Sequence, residues 1–177
     1  MKTKGAVIFG YLVTLGLLFW MINMSWVSLH PHDGLIETQV SGISGNDLTM
    51  LLTPMVMVLL AAIGAFSMAK VAGGYFIIAV SSLVSSAMVV LSVGFLTAPE
   101  KGVEDYVGKQ DFIILSDFNV EVNYLPVILT LILIFFTLWF QYKLTKFVKQ
   151  TSKRVSADEN QNPDLWKALD QGLDPTN

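Results

Sequence analysis

The chain contains no cysteine. Disulfides, thiolate nucleophiles and cysteine metal sites are thereby excluded, while the compartment is left open because many exported segments lack disulfides. Histidine is nearly as scarce: two residues in 177, both within His30-Pro31-His32-Asp33. Charged residues make up 14% of the chain, against roughly 25% in soluble domains. Four long runs hold no Asp, Glu, Lys or Arg: Gly5 to Leu29, Leu48 to Ala69, Val71 to Pro99 and Val122 to Tyr142. Each matches or exceeds the ~20 apolar residues a helix needs to cross a bilayer core about 30 Å thick.

These runs predict a membrane all-α fold, a four-helix transmembrane bundle with helices over about 5–29, 48–69, 71–98 and 124–150. Residues 1–155 form the four-pass domain, and 156–177 a tail with a short C-terminal helix. The first run, preceded by Lys2 and Lys4, resembles a signal peptide in its flank. It is longer than the usual apolar region of about 7–15 residues, and no small-residue cleavage site precedes Trp26. It reads as a retained helix.

Positive charge sets orientation. Lys2, Lys4, Lys70, Lys143, Lys146, Lys149, Lys153 and Arg154 fall on one side of four alternating helices, while Lys101 and Lys109 fall on the other. The opposite side is acidic, from Asp33 through Glu104 and Asp105 to Glu121. Both termini are expected in the cytoplasm of a cell (inner or plasma) membrane.

The outer loops hold strand-forming residues. Leu35 to Val40 lies in the first, and Trp26 to Leu29 before it alternates in the same way; Asp111 to Leu115 and Phe118 to Val122 lie in the second. They are expected to pair into a small extracytoplasmic sheet. Ala61, Ala65, Ala69 and Gly73 recur every fourth position, as do Ser81 with Ser85 and Ser82 with Ser86. Small faces and serine hydroxyls mark places where membrane helices meet. The fourth helix is bulky, with Phe135, Phe136, Trp139 and Phe140, and is expected to face lipid or a partner subunit more than the bundle centre. Pro54 suits the first turns of the second helix.

After the fourth helix, Lys143 to Arg154 continues with helical spacing and a basic face, suited to anionic headgroups. Ser156 to Gln161 reads as a polar linker. Asn162 as N-cap, Pro163 at the first helical position, Asp164 in the first turn and Gly172 as a stop then define a short helix. Trp166 and Leu169 share one face of it. About ten residues are too few for a stable isolated helix, so this one needs something to dock on.

The sequence from Trp166 to Thr176, W-x-A-L-D-x-G-x-D-P-T, resembles the ending of the actinobacterial Trp-operon-region (tryptophan-associated) conserved transmembrane protein family. Trp26-Val27, Asp33-Gly34-Leu35, Val40-Ser41-Gly42, Leu52-Thr53-Pro54 and Leu59-Leu60-Ala61-Ala62 follow in the family's order. The resemblance spans nearly the whole chain. It implies a four-pass inner-membrane protein whose gene lies near tryptophan biosynthesis genes, in a family without an established activity. Relatives often carry a second Trp after the Ser-Gly pair, where this chain has polar residues from Ile43 to Asp47.

Chemistry-bearing constellations are sparse. A metal site needs three or four converging ligands, and His30-Pro31-His32-Asp33 offers neighbours on one surface turn. No Ca²⁺-loop pattern accompanies the acidic loops. The polar residues of the spans, Thr14, Asn23, Thr130, Thr137 and the serines, are neutral, whereas ion-coupled transporters usually bury a charge in the bilayer. No catalytic triad spacing, HExxH, P-loop or dinucleotide fingerprint occurs. The basic stretch lies against the membrane and lacks stacking aromatics apart from Phe147, which disfavours nucleic acid. No catalytic residue, cofactor or metal is expected.

The tail carries the sharpest positive signal. Trp166, Leu169, Asp170, Gly172, Asp174 and Pro175 are the expected partner-binding residues, arranged as an aromatic anchor on a short capped helix. The tail either docks on another membrane or cytoplasmic protein or packs on its own basic helix. The expected function is a non-enzymatic accessory or scaffold protein in the lipid bilayer. The alternative is a component for transport or export of a small aromatic metabolite.

Overall fold

The computed structural model describes residues 2–31, 42–108 and 118–161. Helix α1 runs over Lys2–Ile22, α2 over Gly45–Leu48, α3 over Leu52–Met68, α4 over Val71–Thr97, α5 over Pro99–Val107 and α6 over Tyr124–Gln161. Strands β1 (Ser25–Pro31), β2 (Ile43–Ser44) and β3 (Phe118–Val122) complete the order. By length and composition, Lys4–Ile22, Val71–Thr97 and Tyr124–Lys153 are long and apolar enough to cross a membrane. The fourth apolar helix, α3, has 17 residues, about 25 Å at 1.5 Å per residue.

Two helix ends differ from the sequence expectation. The first uncharged run does not stay helical to Leu29; α1 stops at Ile22. Its last carbonyls find other partners there. Asn23 Nδ2 donates to the Phe19 carbonyl at 2.7 Å, and the indole Nε1 of Trp26 donates to that of Met21 at 3.1 Å. Both carbonyls also accept a backbone N–H, Phe19 from Asn23 at 3.3 Å and Met21 from Met24 at 3.2 Å, so the side chains reinforce the helix end. The chain then extends into β1 instead of turning again. At the other extreme, α6 carries through Ser156–Gln161, the segment expected to be a linker, to 38 residues.

The small sheet is present, in the order β2-β1-β3 and antiparallel throughout. Val27 pairs with Val122 and Leu29 with Val120, while β2 meets β1 at Ser25 and Val27 across an irregular step. The former end of the first span is therefore the central strand. The strands expected at Leu35 to Val40 and Asp111 to Leu115 lie outside the described residues.

Two short helices flank the sheet where loop was expected. Ser44 caps α2 through a capping box, accepting from the Asp47 N–H at 3.2 Å while the Asp47 carboxylate accepts from the Ser44 N–H at 3.2 Å. Helix α5 begins with Pro99 at its first turn and buries Val103 and Val107, four residues apart on one face.

The long helices pack as a closed circuit: α1 lies against α3 and α6, and α4 against the same two. Their buried positions step by threes and fours. On α4 they are Gly74, Ile78, Ser81, Ser85, Met88, Ser92 and Phe95. On α6, Val127, Thr130, Ile134, Thr137, Gln141, Leu144 and Val148 do the same. This alternation is the seven-residue repeat of a knobs-into-holes seam.

That seam bears on two expectations. Helix α6 packs against α1 and α4 along one face, while Phe135, Phe136 and Trp139, with Ile128, Ile132 and Tyr142, are exposed elsewhere on it. On α3 the buried face is Leu52, Val56, Leu59, Ile63 and Phe66, and the small stripe containing Ala61 and Ala65 points outward. The serine stripe of α4 does face inward, through Ser81 and Ser85. Pro54 sits in the first turn of α3, and Ala69-Lys70 is the whole link between α3 and α4.

Candidate functional site

The buried polar groups gather on the α1–α4–α6 seam. Gln141, 3% exposed, reaches both neighbours of its helix. Its Nε2 donates to the Tyr11 hydroxyl of α1 at 3.1 Å and to Ser85 Oγ of α4 at 3.0 Å. Its Oε1 accepts from Ser82 Oγ at 3.1 Å. Three of the side chain's four hydrogen-bonding places are thus filled. Ser85 Oγ lies 3.4 Å from Thr137 Oγ1, which donates to the Ile134 carbonyl at 2.7 Å. In hydrocarbon an unmet polar group is costly, so the amide and its partners hold three helices in one register.

One heptad further along each helix, toward the sheet, stand Ser92 of α4 and Thr130 of α6. Both are fully buried, and their hydroxyls have no hydrogen-bond partner among the described residues. Beside the Gln141 layer a cavity of about 10 Å³ touches Tyr11, Ser81 and Gln141. That is room for a single water. The layer consists of hydroxyls and an amide, which fits joining helices better than moving protons or charge.

At the sheet end, Trp26 is 0% exposed and stacks obliquely on Phe95, with ring centroids 5.4 Å apart. Gly45 lies so close under the indole that a Cβ there would overlap its ring atoms. Trp26 thereby joins α1, α2, the sheet and α4. His30, expected in a surface turn, lies on β1, its Nε2 3.2 Å from the exposed Glu121 carboxylate of β3. His32 and Asp33 lie outside the described residues. A cross-strand pair this exposed contributes little to stability.

At the opposite end, Lys4, Lys70 and the α6 lysines cluster. Lys143 and Lys146 lie over the rings of Trp139 and Tyr142, at 5.1 and 4.6 Å from the centroids. Such contacts let long cationic side chains cover aromatic surface while their heads stay in water.

Trp166, Leu169, Asp170, Gly172, Asp174 and Pro175, the expected partner-binding residues, lie outside the described residues. Sequence reasoning did not single out Gln141, Tyr11 or the anchoring role of Trp26. A signal existed: Gln141 is an amide inside an otherwise apolar run, on the helix that must meet the serine stripe.

Uncharged helices packed through a polar seam agree with the family comparison. The model of the tryptophan-associated transmembrane proteins matches residues 9–176. The chain belongs to this family. It is therefore a multi-pass membrane protein, and the match takes in the tail together with the spans. No curated protein and no solved structure matches it. Within this tryptophan-associated transmembrane protein, the seam, the Trp26 anchor and the lysine end are the three built features among the described residues.

Proposed function

We propose that this protein is a non-enzymatic accessory of the cell membrane, a four-helix bundle whose fourth span is α3. The lysine end lies in the cytoplasm with both termini, and the small sheet lies outside. The lysine distribution supports that orientation. At 17 residues α3 meets the lower limit of a span, and α2 and the Thr49–Leu51 turn extend the chain beyond it.

The observation that carries the reading is the close packing at mid-span. The cavity beside the Gln141 layer holds about 10 Å³, far below the roughly 300–1,000 Å³ of a small-molecule site. This favours a scaffold over transport of a small aromatic metabolite. The tail, with its W-x-A-L-D-x-G-x-D-P-T sequence, then serves as the docking element, presenting Trp166 and Leu169 to a groove on a partner.

Purification in mild detergent tests the role. Wild type retains a partner that Trp166→Ala and Leu169→Ala lose, while all three proteins melt alike. Identical partner sets for wild type and variants would end the docking role.

A further inference from the structure

A cavity of about 100 Å³ opens between the helix ends at the lysine end. Lys4 of α1 and Lys70 of the α3–α4 link stand on it, with Phe66, Val71, Phe147 and Val148 supplying an apolar lining. A water's share of the liquid is about 30 Å³, so the space suits one small group rather than a single solvent molecule. Two lysines and no acidic residue line it among the described residues. Neither lysine forms an ion pair among the described residues. Lys4 Nζ is held 5.3 Å from the Phe66 ring centroid, which places one cation at the apolar wall.

Depth identifies the ligand. Lys4 opens the span Lys4–Ile22, and Lys70 immediately precedes the span Val71–Thr97. Both charges therefore sit where apolar helix gives way to water, at the level of the phospholipid headgroups. There the abundant anion is a lipid phosphate, and basic pockets between membrane helices suit it. The mixed lining matches an anion continued by apolar chain, a weaker fit for a fully hydrated ion.

We infer that this cavity binds the phosphate of an anionic phospholipid, with Lys4 and Lys70 as its charge partners. The inference rests on the membrane embedding of the chain and is independent of which side the lysine end faces.

The test measures lipid affinity by native mass spectrometry of the full chain in nanodiscs containing phosphatidylglycerol and phosphatidylcholine. Each interfacial lysine is worth about fivefold in binding to an anionic surface. Wild type should prefer phosphatidylglycerol, and Lys4→Gln/Lys70→Gln should bind it about thirtyfold more weakly. Lys4→Arg/Lys70→Arg should restore the preference, and Lys101→Gln, at the sheet end, should leave it unchanged. Undiminished phosphatidylglycerol affinity in the glutamine variant, or an equal loss in Lys101→Gln, would overturn the site. Displacement of the lipid by millimolar inorganic phosphate would assign the cavity to a soluble anion and overturn the lipid assignment.

Discussion

Replacing Gln141 by Leu keeps most of the side-chain volume and removes every hydrogen bond of the buried amide. Three are lost: to Tyr11, Ser85 and Ser82. Hydrogen bonds between membrane helices average about 0.6 kcal/mol and reach about 1.7, so the variant should be less stable by about 2 kcal/mol, at most about 5. The serines soften the loss because they can turn to the preceding helical carbonyls, as Ser81 and Ser86 already do. Tyr11, whose hydroxyl accepts from the Gln141 amide, loses that donor outright. The assay is unfolding in mixed micelles of a mild detergent and dodecyl sulfate, followed by tryptophan fluorescence. A cycle with Tyr11→Phe isolates one bond, with an expected coupling of about 0.6 kcal/mol. An unshifted transition for Gln141→Leu, or no coupling in the cycle, would refute the view that this layer fixes the three helices.

Two further substitutions probe the sheet end by the same unfolding assay. Gly45→Ala drives a methyl group into the buried, rigid indole of Trp26 and should cost about 1–3 kcal/mol; Gly64→Ala, with nothing within 4 Å of its Cβ, should leave the midpoint nearly unchanged. Trp26→Phe removes the donor to the Met21 carbonyl and part of the contact with Phe95, for a loss of about 2 kcal/mol; a neutral result would show that Asn23 alone ends α1.

The distribution of charge revealed most of the spans, because a charge inside hydrocarbon is expensive wherever it stands. Lys70 marked the α3–α4 link and Pro54 the start of α3. Charge could not mark the end of α1, since Asn23 to Leu29 is uncharged whether helical or extended; there the chain pairs with β2 and β3 instead. Nor could hydrophobic periodicity find the buried face of α6. A helix apolar all round has no amphipathic stripe; bulk pointed Phe135, Phe136 and Trp139 outward, where they are exposed, but nothing apolar marked Ile134 and Leu144 as buried. What marks the seam is polarity pointing inward, at Thr130, Thr137 and Gln141, the reverse of a soluble helix. The alanines of α3 show the limit of that reasoning, because small residues permit close approach without requiring it. The family resemblance was legible in the sequence, and the family match covers residues 9–176.

The absence of native cysteine makes one measurement especially direct. Single cysteines at Glu104 on α5, at Lys153 on α6 and at Leu83 on α4, a side chain 73% exposed at mid-span, can be treated with a membrane-impermeant maleimide in intact and then permeabilised cells. Embedding in lipid with the lysine end inside predicts that Glu104→Cys reacts in intact cells, Lys153→Cys only after permeabilisation, and Leu83→Cys in neither. Labelling of Lys153→Cys in intact cells, or ready labelling of Leu83→Cys, would contradict it.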